Sequence, residues 1–143
     1  MAFEKDKFLR YIDARVYGGG HMVLEILPYS LTVCKVSHVR DINLEAGFFF
    51  VGRTDSEISL VCKTEDVPPG ATERVDGWKG FRVRGSLDFS LVGILSDLSG
   101  ILASKGIGLF AVSTYDTDYV LVREGDSVRA AEAFTDAGHE IGA

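Results

Sequence analysis

The sequence predicts an α+β fold, on three observations. From Phe81 onward the apolar patterning reads strand, helix, strand, strand, helix. Before that point the chain is rich in short strand-like runs broken by turns, with helices reduced. The segment Leu109–Val122, LFAVSTYDTDYVLV, sets two apolar runs around a compact turn loaded with hydroxyls and carboxylates. Strands and helices mixed in this order pack as a sheet with helices on it.

Residues 1–21 read as a polar lead-in ending in Gly18, Gly19 and Gly20, a joint or a tight reversal. No GxxxxGK pattern follows, so it is not a phosphate loop. Strand candidates run Met22–Leu27, Leu31–Val36, Phe48–Val51 and Glu57–Cys62. Asp41–Gly47 reads as a loop or short turn, and Gly52–Glu57 as a polar connection. Asp66–Gly80 holds Pro68, Pro69, Gly70, Gly77 and Gly80 and reads as a turn-rich boundary, anchored by the ring of Trp78.

The second half is clearer. Phe81–Gly85 alternates, with Phe81 and Val83 on one side and Arg82 and Arg84, surface or ion-paired residues, on the other. Leu91, Ile94, Leu95, Leu98, Ile101 and Leu102 recur at helical spacing. Asp88 or Ser90 can cap that helix, and Lys105 and Gly106 suit its end. Gly93 in its first turn lowers helicity but admits a ligand or another backbone. Ile107–Ser113 and Tyr119–Arg123 read as adjacent strands, and Ser127–Ala137 as a second helix closed by Gly138. A βαββαβ module needs one more strand and only His139–Ala143 remains, so the N-terminal half is the expected source of the missing edge.

A length of 143 residues suits one compact domain or two small modules sharing a core. Apolar residues at 46% and charged residues at 25% are ordinary globular usage. Fifteen basic against 21 acidic residues give a net charge of -6, with no basic stripe, so neither nucleic acid nor an anionic membrane is an expected partner. No apolar run approaches the roughly 20 residues of a spanning helix. The start, MAFEKDKFLRYIDARV, lacks the apolar core of a secretory signal, so a cytoplasmic location is expected. Cys34 and Cys62 each sit in an apolar run and read as free thiols on strands. His21, His38 and His139 are too scattered for a zinc pattern, and neither a metal nor another cofactor is expected.

The stretch GSLDFSLVGILSDLSGILASKGIGLFAVSTYDTDYVLV resembles the small-molecule-binding ACT domain family. It is most similar to tandem ACT proteins related to the regulatory region of aspartate kinase. LPYSLTVCKV and FFFVGRTDSEISLVCKTEDVP fit the same group, and the resemblance spans about residues 22 to 140. It implies two ferredoxin-like (βαββαβ) modules packed together, at 22–79 and 80–143, the first with reduced helices. In that family amino-acid effectors bind at the interface between modules. The arm from Met1 to Gly20 lies outside the resemblance.

Three segments are candidate ligand contacts. A helix start presents unpaired N–H groups and partial positive charge, which suits the carboxylate of an amino acid. The resemblance places Asp88, Phe89, Ser90, Leu91, Gly93 and Ile94 at such contacts; ordinary capping by Asp88 or Ser90 explains the same residues. The second segment is the turn with Ser113, Thr114, Asp116 and Asp118. If it is partly extended, Asp116 and Asp118 share a face about 7 Å apart and bracket an ammonium. A purely local turn role fits equally. Two carboxylates alone make no hard-metal cage, and nothing else indicates a sugar cleft. Tyr115 and Tyr119 flank that pocket or pack at an interface. The third segment is the turn carrying Thr54, Asp55 and Ile58, which the resemblance puts across the interface from the helix start. It reads otherwise as a solvated turn.

No nucleophile sits near a base in sequence, G-x-S-x-G is absent, and Cys34 and His38 are not dependably joined, so no enzyme is expected. The expected function is a non-catalytic sensor of a free amino acid. The competing class is a structural or interaction protein with no ligand. Asp55, Glu57, Asp88, Asp116 and Asp118 favour a neutral or basic amino acid, and Arg53 is the residue that would reverse this. A homodimer would protect open sheet edges.

Overall fold

The computed structural model describes residues 21–84 and 93–142. The joint at Gly18–Gly20 and the expected caps Asp88 and Ser90 lie outside them. The described residues form an α+β fold of eight strands and two α-helices. The strands are β1 (Val23–Ile26), β2 (Leu31–Val36), β3 (Phe49–Arg53), β4 (Ile58–Lys63), β5 (Glu73–Val83), β6 (Leu109–Ser113), β7 (Asp118–Arg123) and β8 (Glu140–Gly142). The helices are α1 (Ile94–Ser104) and α2 (Ser127–Asp136). No helix is long and apolar enough to cross a membrane among the described residues.

The chain divides into two compact units, one of residues 28–79 and one of residues up to 27 with 80 onward. Strand β1 therefore groups with the second half of the chain.

In the 28–79 unit the strand order is β3-β4-β2-β5, antiparallel throughout. Cys34, Val36, Ile42, Leu60 and Cys62 form its core, with Phe49, Ile58, Val67 and Ala71 packed on it. Directly paired residues share a face, so Cys34 with Leu60 and Val36 with Ile58 place one apolar face inward. No α-helix covers that face among the described residues; 3-10 turns at Val39–Asp41 and Thr64–Asp66 follow β2 and β4 instead. Cys34 and Cys62 are free and buried. Burial and the neighbouring sulfur push the Cys62 thiol up to about 12, which makes it an inert packing group. Buried Thr32 donates to Asp76 Oδ1 at 2.8 Å and so receives the proton of Thr64 across 2.9 Å. With Arg74 also donating, the Asp76 carboxyl is held below its ordinary value.

The expected boundary at Asp66–Gly80 needs correcting. From Glu73 it is strand, continuing into the expected Phe81–Gly85 run as one element, β5. Gly77, which reads as a breaker, takes a left-handed φ of 82° within the strand, where the β2 pairing shifts register.

In the other unit the order is β6-β7-β5-β1-β8. Both remaining edges of the expected module are resolved at once. β8 supplies the final strand, and β1 lies between it and β5, antiparallel to β5 and parallel to β8. Leu24, Phe81, Val83, Val120 and Val122 face Leu98, Leu102, Ala130 and Phe134 in one core. Phe134 is fully buried and meets Phe81 edge-on at 5.4 Å between centroids. Both helices end at a left-handed glycine. After Gly106 the Ile107 amide reaches back to Leu102, and after Gly138 the His139 amide reaches back to Phe134.

Two histidines lock β1 to β8. His139 is buried; its Nδ1 accepts the Met22 amide at 3.2 Å, so its Nε2–H donates to Asp97 at 3.2 Å. Exposed His21 donates from Nδ1 to the Gly138 carbonyl at 2.8 Å and faces Glu140 at 3.4 Å. That carbonyl, and then Glu140, raise the His21 pKa above 6.5.

Two outcomes follow. Phe134→Ala should lower unfolding free energy in urea by about 3–5 kcal/mol, and a near-neutral result would mean this ring is not central to the core. Because the folded pKa of His21 is raised, its contribution is complete below pH 6.5 and fades as pH rises through the folded value. The stability difference between the native chain and His21→Gln should therefore shrink from acid to alkaline pH; a difference that grows would contradict this clasp.

Candidate functional site

Two hairpin turns carry most of the candidate residues, and they are built alike. Thr114 stands sixty positions after Thr54, and the pairs Arg53 with Ile58 and Ser113 with Asp118 occupy the same place in each hairpin. The Thr54 amide donates to the Glu57 carbonyl at 2.9 Å, and the Thr114 amide to Thr117 at 2.8 Å. Each threonine hydroxyl then accepts from the far side of its own turn. Thr54 Oγ1 takes the Ser56 and Glu57 amides, both at 3.1 Å. Thr114 Oγ1 takes the Thr117 amide at 3.4 Å and donates to the Thr117 carbonyl at 3.1 Å. No non-glycine residue among the described ones has positive φ, so neither turn is the left-handed type that two-residue hairpins prefer. The threonine hydroxyl supplies the closure that backbone twist would otherwise give.

The geometry revises the expected use of this turn. Residues 114–117 close on themselves and are not extended, so Asp116 and Asp118 do not share a strand face. Asp116 is exposed at the tip, whereas Asp118 opens β7, half-buried. Asp118 pairs with Ser113 on the face that carries Val120 and Val122 toward the helices. Tyr119 lies on the opposite face, where its hydroxyl accepts from Arg82 Nε at 3.0 Å; Arg82 also faces Glu25 at 3.8 Å. Tyr115 is 80% exposed.

One residue not singled out from sequence ties this turn to its surroundings. Thr117 is buried, and its hydroxyl donates to the Val83 carbonyl at 2.6 Å. Val83 is the last residue of β5, just before the segment leading to α1. The turn is thus pinned beside the root of that segment. Gly93 precedes α1 with a left-handed φ of 95°, and no side chain caps that end among the described residues. Ile94 packs against the core under the same sheet face as Val120. Asp88, Phe89, Ser90 and Leu91 lie outside the described residues. In sequence Thr117 is legible only as one of several hydroxyls in this turn, and burial is not readable from it.

Thr54, Asp55 and Ile58 belong to the other unit. There they line an open pocket of about 390 Å3 together with Val36, Arg53 and Glu57. Among the described residues no three His, Cys, Asp or Glu side chains gather as a metal site requires.

Residues 73–136 match the model of the ACT domain. Over 86% of this chain and 93% of the other, the chain is 32% identical to protein Atu0741 from Agrobacterium tumefaciens, with a TM-score of 0.75. It is similar in fold to the aspartokinase alpha and beta subunits, at 14% identity, TM-score 0.57, covering 82% of this chain and 98% of that one. It also resembles aspartate kinase from Clostridium acetobutylicum, at 12% identity and TM-score 0.52, covering 76% of this chain and 32% of the enzyme. At such identities the likeness to the kinases is one of fold. No curated protein matches the chain.

Replacing Thr117 by Val keeps its shape and removes its hydroxyl. The variant should lose about 1–2 kcal/mol in chemical denaturation, because the Val83 carbonyl is left without this donor. Unchanged stability would mean that water replaces the bond freely.

Proposed function

We propose that this chain, which belongs to the ACT domain family, is a non-catalytic regulatory protein that binds a free amino acid. ACT domains are regulatory and bind amino acids as a class. The observation that carries the reading to particular residues is the Thr117 bond to Val83. It holds the Asp118 end of β7 beside Val83, the last residue of β5. A carboxylate and a helix start then stand at the same end of the same sheet face, a match for ammonium and carboxylate. Asp118 and the exposed Asp116 receive the ammonium. The amides around Gly93 and Ile94 receive the carboxylate.

We read the two units as two ACT modules. The repeated hairpin supports this, as does the strand order β3-β4-β2-β5, which is that of a βαββαβ module with its helices replaced by short turns. Binding at Asp118 and the start of α1 changes the surface the protein offers to a partner.

Asp116 and Asp118 favour a neutral or basic amino acid over a dicarboxylate. Calorimetry across the free amino acids should find one or more saturable ligands in the millimolar range or tighter. Asp118→Asn should weaken that binding by roughly tenfold or more, and added salt should weaken it in the native chain. The reading fails if no amino acid binds saturably, or if Asp118→Asn leaves the affinity unchanged.

A further inference from the structure

Among the described residues His139 is the buried imidazole, with 3% of its side chain exposed. It stands between α2 and β8, just after the left-handed Gly138. Its two ring nitrogens engage two different elements. Nε2–H donates to Asp97 in the first turn of α1 at 3.2 Å. Nδ1 accepts the amide of Met22, the residue before β1, at 3.2 Å. Only the neutral ring does both, because Nδ1 accepts through its lone pair.

The Met22 bond sits where β1 enters the sheet. The Met22 carbonyl accepts the Glu140 amide at 2.9 Å, and the Met22 side chain packs against the core that holds Leu24. From there β1 runs between β5 and β8. A proton added at Nδ1 sets two N–H groups against each other across 3.2 Å. The ring is buried, so its new N–H reaches no acceptor until the pair separates. On its other side the charged ring keeps Asp97 through a stronger, charge-assisted bond. Protonation therefore turns a bridge between α1 and β1 into a contact with α1 alone.

The surrounding charges leave that outcome to Asp97. On β8 Glu140 is exposed and faces His21. On β1 Glu25 faces Arg82. On α2 Glu132 and Asp136 are exposed, and Arg129 pairs with Asp126. Asp97 is the charged residue of α1 and, among the described residues, the ionisable partner within 4.0 Å of the His139 ring. His21 answers the same proton in the opposite sense, since its charged form keeps the Gly138 carbonyl and gains an ion pair with Glu140.

We propose that His139 is a proton-sensing latch on β1, whose protonation at Nδ1 releases the Met22 amide and loosens the entry of β1 into the sheet. The latch is independent of any amino-acid ligand.

The test is a titration of the isotopically labelled full chain from about pH 8 to about pH 5, the range in which an imidazole changes charge. Imidazole nitrogen spectra report the tautomer and proton of each histidine. Amide exchange, corrected for its intrinsic rate, reports protection at Met22. His139 should carry its proton on Nε2 at the alkaline end. Protection at Met22 should then fall roughly tenfold or more along the His139 titration, as for one lost hydrogen bond, while the amides of β7 keep theirs. His139→Asn sets a carbonyl oxygen near the place of Nδ1 and does not titrate, so Met22 should stay protected throughout. His21→Gln should leave the release in place. If His139→Asn does not fold, Asp97→Asn decides: it still accepts from Nε2–H but carries no charge, so the release should move to more acid pH. A proton on Nδ1 at the alkaline end would overturn the latch, as would a ring that stays neutral until β7 itself unfolds. So would Met22 protection that ignores the His139 titration, release abolished by His21→Gln, or release unmoved by Asp97→Asn.

Discussion

A threonine hydroxyl that closes a tight hairpin turn is the interaction on which both units depend. Without glycine at the loop positions, the backbone cannot use the left-handed turn that hairpins favour. Thr54 and Thr114 make up for it by accepting amides from the far side of the turn. The closed turn sets the register of β3 on β4 and of β6 on β7. A slip of one residue would carry Leu60 and Cys62, or Val120 and Val122, from the core face to the other face. The cores of both units are built from those residues.

What differs between the units is what covers the sheet. Two helices bury Leu98, Leu102, Ala130 and Phe134 against one sheet face. The other unit has short turns in the corresponding places and a core of five buried residues, two of them cysteines. The helical unit gains apolar burial and a helix start preceded by a left-handed glycine, Gly93. The unit with reduced helices gains an open recess instead. Its thiols, far above neutrality in pKa through burial, serve as packing groups.

The hairpin at Leu109–Val122 was legible because apolar alternation and turn chemistry agree there. Leu31–Val36 was readable to the residue for the same reason. Both helix ends were readable from Gly106 and Gly138, whose left-handed backbone only glycine adopts cheaply. The first part of β5 was not readable. Gly77 and Gly80 look like punctuation, yet the strand runs through them, with Gly77 at an irregularity in the pairing. The parallel seat of β8 on β1 was also hidden, since it depends on His21, Met22 and His139, which are remote in sequence. At the candidate site, the residue types were legible as a tight turn. The shared face of Asp116 and Asp118 failed because the turn folds back on its own threonine. In the 28–79 unit Asp55 and Glu57 line a recess together with Arg53, the residue whose charge opposes theirs.

The central claim is that a free amino acid binds at Asp118 and the start of α1 without being chemically changed. Hydrogen exchange on the full chain, with and without each amino acid, tests it directly when the recovered amino acid is also analysed. The account predicts that at least one amino acid slows exchange in peptides spanning residues 84–97 and 113–118 and is recovered intact. Unaltered exchange with every amino acid, or conversion of the bound one, would contradict it.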